Sequence, residues 1–328
     1  MSKGKFSSWL FPVIYFTGAF ILAGTIFSVQ SFTGSTTVNN IPLRMPSLAQ
    51  SFTLPDQIEF AGEIVPQDNF DTRESLDKEL LVNGYWHSRT LMVLKRSKRH
   101  FEVIEPVLKK FGVPDDFKYL AMAESGFENV VSPAKAVGVW QILESTAREY
   151  GLEVNADVDE RYHLEKSTEV ACKYLLDSYK RYGNWIMAAA AYNAGRSGMD
   201  KQIAKQKTEN YFDLLLNEET ARYVFRLIAH KLIVENPAEF GFQLDEEDYY
   251  PVLSTHEITV DSAISDIAVF ALSHSTNYKI IKQLNPWLRQ NYLPDQAKKV
   301  YTIKMPEEGE RSVRQSHESI PEPSGETN

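Results

Sequence analysis

Between residues 9 and 29 the chain reads WLFPVIYFTGAFILAGTIFSV, without a single charge. From about Asp56 to Phe242 the pattern changes, and apolar residues return at helical spacing between polar ones, as in WHSRTLMVLKRSKRHF. Trp86 and His87 in that stretch are expected to be packing residues. HFEVIEPVLKKFGVPDDF reads as a further short helix ended by Gly112 and Pro114, and Pro114 with Asp115 opens the next one. Helical spacing recurs over 165–182, 184–194 and 218–235. After DEEDYYPVL, HEITV and VYTIKM alternate as strands do, while SAISDIAVFALS and NYKIIKQLN between them read as two short helices. The pattern therefore predicts a mainly α body followed by a small β-α-α-β unit near 255–305.

Composition divides the rest. Residues 30–55 are rich in Ser, Thr, Asn and Pro without periodicity and read as a tether. The last residues, PEEGERSVRQSHESIPEPSGETN, lack apolar periodicity and are expected to be disordered. The expected layout is a cytoplasmic N-terminus over 1–8, a membrane anchor or signal over 9–29, and a linker over 30–55. A helical domain over 56–248, the β-α-α-β module over 249–305 and a tail over 306–328 follow.

The run 9–29 is long enough to cross a bilayer, since about 1.5 Å per residue gives roughly 31 Å. Lys3 and Lys5 precede it and the next basic residue is Arg44, so the N-terminus should stay cytoplasmic and the body should lie beyond the membrane. A cleaved signal peptide is the competing reading. No cysteine near residue 30 could carry a lipid.

A net charge of −9 argues against nucleic acid as a partner. One cysteine, Cys172, allows no intrachain disulfide and no Cys-rich metal site, and its helical context suggests a buried thiol. NADVDE (155–160) begins like a calcium loop, but Glu160 stands where glycine is required and Lys166 at the twelfth position. Neither HExxH nor GxSxG occurs. No metal, cofactor or serine nucleophile is expected.

One carboxyl stands apart. In YLAMAESGFENV, residues 119–130, Glu124 follows an apolar run with no Lys or Arg between Lys118 and Lys135. Phe117, Leu120, Ala121 and Glu124 fall at i, i+3, i+4 and i+7, so the carboxyl belongs to an apolar helical stripe. Burial disfavours the ionised form and should raise its pKa, which suits a general acid. Gly126 would end the helix beside a loop that a ligand can reach. The bland alternative is a buried glutamate satisfied by backbone donors, or one turned outward at a frayed end.

Three further stretches bear on that choice. AVGVWQI (136–142) combines Gly138, which permits close backbone approach, with Trp140 and the bifunctional amide of Gln141. AAAAYNAG (188–195) offers four small residues for tight helix contact and then Tyr192 and Asn193, suited to a neutral ligand rich in hydroxyls and amides. NEETARYV (217–224) puts Glu219 and Tyr223 four apart on one helical face. Taken singly, packing, a helix cap and a surface pair account for them.

Together, AESGF, GVWQI, AYNAG and EETARYV resemble the successive motifs of the lytic transglycosylases of the soluble-lytic-transglycosylase, goose-lysozyme-like domain family. They are most like those of its membrane-bound murein transglycosylase D branch. STAREYGL and residues 159–171 extend the likeness, which covers roughly residues 75 to 242. It implies a lysozyme-like, mostly helical fold and cleavage of peptidoglycan glycan strands in the cell envelope. It also implies that Glu124 is the catalytic acid/base, and that Ser132, Gln141, Tyr192, Asn193, Glu219 and Tyr223 line the saccharide cleft. Two departures stand out: the stretch from Glu124 to Ser132 is one residue shorter than the D-type pattern and lacks its proline. Glu144 replaces the proline that opens the following helix, where an acidic residue suits the helix dipole.

The β-α-α-β unit resembles a LysM peptidoglycan-binding module, with QLNPW (283–287) at its Leu-Asn pair and VDSAIS in place of the usual Gly-Asp-Thr. Glycan binding and a purely structural appendage are both open. For the whole chain, the resemblance implies a 1,6-anhydromuramoyl product from the bond between N-acetylmuramic acid and N-acetylglucosamine. A hydrolase that uses water, and a wall-binding protein without activity, are the rival readings.

Overall fold

A short hairpin of two-residue strands, β1 (Glu59–Phe60) and β2 (Glu63–Ile64), precedes the helices and holds one 3-10 turn and two of them. The amide of Ala61 at its tip donates to Asp116 Oδ2 at 2.6 Å, and Lys231 Nζ meets the same oxygen at 2.7 Å. Glu63 accepts the backbone amides of Trp185 and Ile186, where a helix N-terminus favours a carboxylate. Phe60 is fully buried with its ring edge-on to Phe117 at 5.6 Å. Strands this short give no readable alternation, and the sequence pattern did not predict them.

The computed structural model describes residues 51–295 and 299–311, all within one contact unit, Gln50–Asn328. The anticipated membrane segment 9–29 lies outside the described residues, as do most of the tether and the tail. Among the described residues no helix is long and apolar enough to cross a membrane. Phe52 is packed between Tyr85 and Phe240, at 5.5 and 5.2 Å, so the chain is already docked before residue 56.

Helices α1 (Phe70–Tyr85) and α2 (His87–Phe111) follow. The pattern predicts two helices where α2 is one, running through Pro106. Proline removes one helical hydrogen bond, but Ile104 and Leu108 on either side are buried and anchor the helix. Trp86 is not the packing residue expected, being 51% exposed with the Arg89 guanidinium over its ring at 4.5 Å. His87 is exposed too, but its ring packs edge-on to the buried Phe242 at 6.2 Å.

A 3-10 turn over Asp115–Phe117 leads into α3 (Lys118–Ser125), which Gly126 closes at φ 60°. Tyr119, Met122 and Ala123 are buried along with Leu120 and Ala121, so α3 is enclosed on every side rather than along one stripe. In its last turn only Glu124 and Ser125 are half-buried rather than buried. Next come α4 (Glu144–Glu149), α5 (Leu164–Tyr182), α6 (Trp185–Ala194), α7 (Arg196–Gln206) and α8 (Glu218–Glu235). Asn184 and Asn217 cap α6 and α8 through their side-chain oxygens, on Met187 N and Thr220 N. Ala188 to Ala191 are fully buried, which lets α6 lie close against α5 and α8. Cys172 is buried in α5.

The C-terminal unit is β3 (Thr255–Val260), α9 (Ile267–Ser273), α10 (Tyr278–Leu284) and β4 (Tyr301–Pro306), with β3 and β4 antiparallel from Thr255↔Pro306 to Val260↔Tyr301. Its core, including Ile267, Ile281 and Ile303, is shared with Val137, Val158 and Tyr162 of the helical domain. Asn285 of the QLNPW stretch is fully buried and bolts α10 to β4, donating to Lys304 O at 2.8 Å and accepting from Lys304 N at 2.8 Å.

Candidate active site

Glu124 sits on the last turn of α3, half-buried, and lines a cavity of about 520 Å³ together with Ser88, Arg89, Met92 and Arg96 of α2. The Tyr223 hydroxyl, brought by α8, donates to Glu124 Oε1. Burial pushes the carboxyl up to about 7, against the Tyr223 hydrogen bond and the positive charge of Arg226. The negative charge of Glu219 adds to the rise. Tyr223 and Tyr192 are held well above the ordinary phenol range by burial first and then by Glu124, so both remain neutral donors.

A second cavity, about 300 Å³, is lined by Gln141, Leu143, Tyr174, Tyr192 and Asn193 among others. Gln141 joins the two: its Nε2 donates to the carbonyl of Val130, which lines the Glu124 cavity, at 3.0 Å, and to Gly138 O at 2.8 Å. Gln141 is itself in the left-handed region at φ 47°. Gly138 has φ 81°, and a Cβ there would come within 2.3 Å of the Arg161 carbonyl, so the loop can pass that close only with glycine.

Tyr192 donates to Trp140 O at 2.8 Å and meets Tyr174 edge-on at 5.4 Å. Trp140 is buried and donates from its indole to Thr168 Oγ1 at 2.8 Å. Asn193 accepts through Oδ1 from Thr220 Oγ1 at 2.9 Å, which leaves its amide nitrogen as the group able to meet a ligand.

Glu219 and Tyr223 share a face of α8 but part company in their surroundings. Tyr223 is buried against Glu124, whereas Glu219 is exposed and pairs with Arg226 at 3.1 Å. Ser132 lines neither cavity. Its hydroxyl accepts the Ala136 amide at 3.0 Å inside a tight turn, so it serves the loop.

Other residues at the site had no signal of their own. Arg226 stands between Glu219 and Glu79, 3.7 Å from the latter, and Glu79 is 1% exposed with Arg222 as its second cation. Arg226 falls one turn after Tyr223 on α8, which is the only hint the sequence offered. Among the described residues no group of three His, Cys, Asp or Glu side chains could hold a metal. The acidic 155–160 loop is structural: Asn155 Oδ1 accepts the amides of Asp157 and Val158, and Asp159 holds the buried Arg161 at 2.7 Å.

Residues 103–215 match the family described as the transglycosylase SLT domain, and residues 256–309 match the soluble lytic transglycosylase C-terminal LysM-like domain. The chain thus carries a transglycosylase SLT domain followed by a LysM-like domain. Glu124, Ser132, Gln141, Tyr192 and Asn193 fall inside the first match, and Glu219 and Tyr223 just beyond it.

Its relatives include the membrane-bound lytic murein transglycosylase D of Escherichia coli strain K12. The two are 30% identical over 210 residues, covering 62% of this chain and 46% of that protein. The chain therefore spans about half the length of that relative. Among solved structures, an inactive mutant of the lytic transglycosylase Slt from Pseudomonas aeruginosa overlaps 46% of this chain and 26% of its own. Its TM-score is 0.35 and its identity 20%. The 70 kDa soluble lytic transglycosylase of Escherichia coli overlaps 41% and 24%, with TM-score 0.35 and identity 21%.

Proposed function

We propose that the protein is a lytic transglycosylase that cleaves peptidoglycan strands between N-acetylmuramic acid and N-acetylglucosamine, leaving a 1,6-anhydromuramoyl end. The observation that carries this reading is a half-buried carboxyl, Glu124, held near pKa 7 under the Tyr223 hydroxyl in a solvent-reached cavity. It lies in the stretch that matches the SLT domain. The E. coli relative is named as a membrane-bound murein transglycosylase, which supports the same substrate and a place in the cell envelope. The uncharged run 9–29 is the anchor in this reading, with the helical domain (56–248) and the LysM-like module (249–305) beyond the cytoplasmic membrane.

Most glycosidases need two carboxyl groups. Here Glu219, the other acid of the motifs, is exposed and paired to Arg226, so one acid does both steps. Neutral Glu124 protonates the glycosidic oxygen. The substrate's own acetamido group, helped by the dipoles of Tyr192 and Asn193, supports the positive charge that develops at C1. The carboxylate that results is stabilised by Tyr223 and Arg226. It then takes the proton of the C6 hydroxyl as that oxygen closes on C1, and no water is consumed. Gln141 completes the cleft, and Glu219, which lines neither cavity, acts on Glu124 through its charge. Ser132 lines neither cavity and its hydroxyl accepts an amide of its own turn, so it is left out of the cleft.

Mass analysis of a murein digest tests the reading. Muropeptides lighter by one water than their reducing-end counterparts are expected. Reducing ends alone would mean hydrolysis, and sedimentation with murein without soluble release would mean a wall-binding protein.

A further inference from the structure

One face of α2 lines two cavities in succession. Arg89, Met92 and Arg96 face the Glu124 cavity, and Arg99, His100 and Val103 face another of about 380 Å³. Its far wall belongs to the LysM-like domain, through Gln283, Leu284, Pro286 and Lys304, and Asn129 and Leu253 close the sides. From Met92 to Val103 the helix rises roughly 16 Å, about the reach of five extended peptide residues.

The seam that forms this cavity is tightly made. Asp159 N donates to Trp287 O at 2.9 Å, Arg289 N to Asp157 O at 2.8 Å, and Gln290 Nε2 to Ala156 O at 2.7 Å. Lys304 pairs with Glu165 across it, and the Arg289 guanidinium lies 4.0 Å over the Tyr162 ring. A site between the domains is therefore built in advance of any ligand.

Its lining points to the ligand class. Sugars seek open aromatic faces, and none is free here: Trp287 is 4% exposed, with His163 stacked on it at 6.2 Å and Tyr301 at 5.6 Å. Beyond the paired Lys304 and Glu165, what the cavity offers is one cation, Arg99. In a chain of net charge −9, Arg99 binds Pro251 O at 2.7 Å through Nε and has no carboxylate partner among the described residues. Exposed amides of Asn129 and Gln283 and the apolar edges of Val103 and Leu253 surround it.

We propose that this seam cavity binds the acidic peptide branch of a strand whose glycan backbone lies across Glu124, with Arg99 meeting a branch carboxylate. The proposal rests on the function proposed above. Arg99 and a carboxylate would form a charge-assisted pair, stronger than a neutral hydrogen bond.

The test uses the full chain with Glu124→Gln, so that strands bind without being cut. Its probes are murein strands with their peptides, and the same strands stripped of peptide by an amidase. Arg99→Met should weaken co-sedimentation with branched strands about 10- to 100-fold and leave stripped strands as before. Arg99→Lys should restore part of the loss. Gln283→Ala, on the exposed rim, should weaken branched strands alone. Equal affinity of parent and Arg99→Met for branched strands, or equal loss on both probes, would overturn the proposal, and the second result would assign the cavity to glycan or to the fold. An Arg99-dependent preference for branched strands, together with no anhydro product from the chain that keeps Glu124, would keep the site and discard the catalytic reading.

Discussion

The hydroxyl of Tyr223 on α8 donates to Oε1 of Glu124 on α3, across 99 residues of sequence. The bond sets two tendencies against each other in one side chain. Burial favours the neutral acid, and a donor aimed at the carboxyl favours the anion. With the balance near 7, Glu124 can hold a proton at neutral pH and tolerate losing it.

Removing the donor should tip that balance. Tyr223→Phe takes away an interaction that lowers the carboxyl's pKa, so the pKa rises and the alkaline fall in rate moves to higher pH. The anion formed after proton transfer also loses its partner, and the rate at the optimum should drop about 10-fold or more. A pH–rate profile of soluble muropeptide release checks both, and an unmoved alkaline limb would separate the tyrosine from the acid.

Glu124→Gln keeps the shape and removes the proton. Turnover should fall about 10²- to 10⁴-fold, the usual worth of general acid/base action, while the circular dichroism spectrum stays that of the parent. A variant that keeps most of its turnover would exclude Glu124 from the chemistry.

The same substitution carries a prediction for stability. The folded-state pKa of Glu124 lies above its unfolded value, so the native state holds the proton more tightly. That contribution is complete below about pH 4.5 and is lost as pH rises through about 7. Glutamine does not ionise. Relative to the parent, Glu124→Gln should therefore gain roughly 3 kcal/mol of stability between pH 4.5 and pH 8. Denaturant melts at the two pH values measure it, and a difference independent of pH would mean the carboxyl is already ionised in the native state.

Much of this was readable beforehand, for local reasons. Helices anticipated over 165–182, 184–194 and 218–235 are found at Leu164–Tyr182, Trp185–Ala194 and Glu218–Glu235, because caps and glycines mark their ends. Glu124 stood out because no local cation could explain it. The β1–β2 hairpin, the passage of α2 through Pro106, and the Glu79–Arg226–Glu219 chain were not readable. Each depends on partners far along the sequence, as with Arg222 and Glu79, which are 143 residues apart.

Gly138→Ala should act through the loop rather than through a ligand contact. The new Cβ would sit 2.3 Å from Arg161 O at a φ of 81°, so the 136–142 segment must shift. A cost of about 1–3 kcal/mol is expected from the strained backbone alone. Because Gln141 and the Trp140 carbonyl that holds Tyr192 lie on that segment, activity should fall with the melting temperature. A melting shift with turnover intact would uncouple the loop from the site.

Glu219 and Arg226 should move the acid in opposite directions. Glu219 raises the Glu124 pKa and Arg226 lowers it, and the two are paired at 3.1 Å. Arg226→Gln withdraws a positive charge, which disfavours the Glu124 anion and shifts the alkaline limb upward. Glu219→Gln withdraws a negative charge and leaves Arg226 without its exposed partner, which favours the anion and shifts the limb downward. Glu79 retains Arg222 in either variant, so a buried acid is not left without a cation. Both shifts should shrink as salt is added, Glu219→Gln more so, because the Glu219 side chain is 61% exposed and that of Arg226 only 22%. pH–rate profiles of the two variants at low and high ionic strength make the comparison. Limbs that move the same way would show that these side chains act on the cleft by position and not through the charge they place near Glu124.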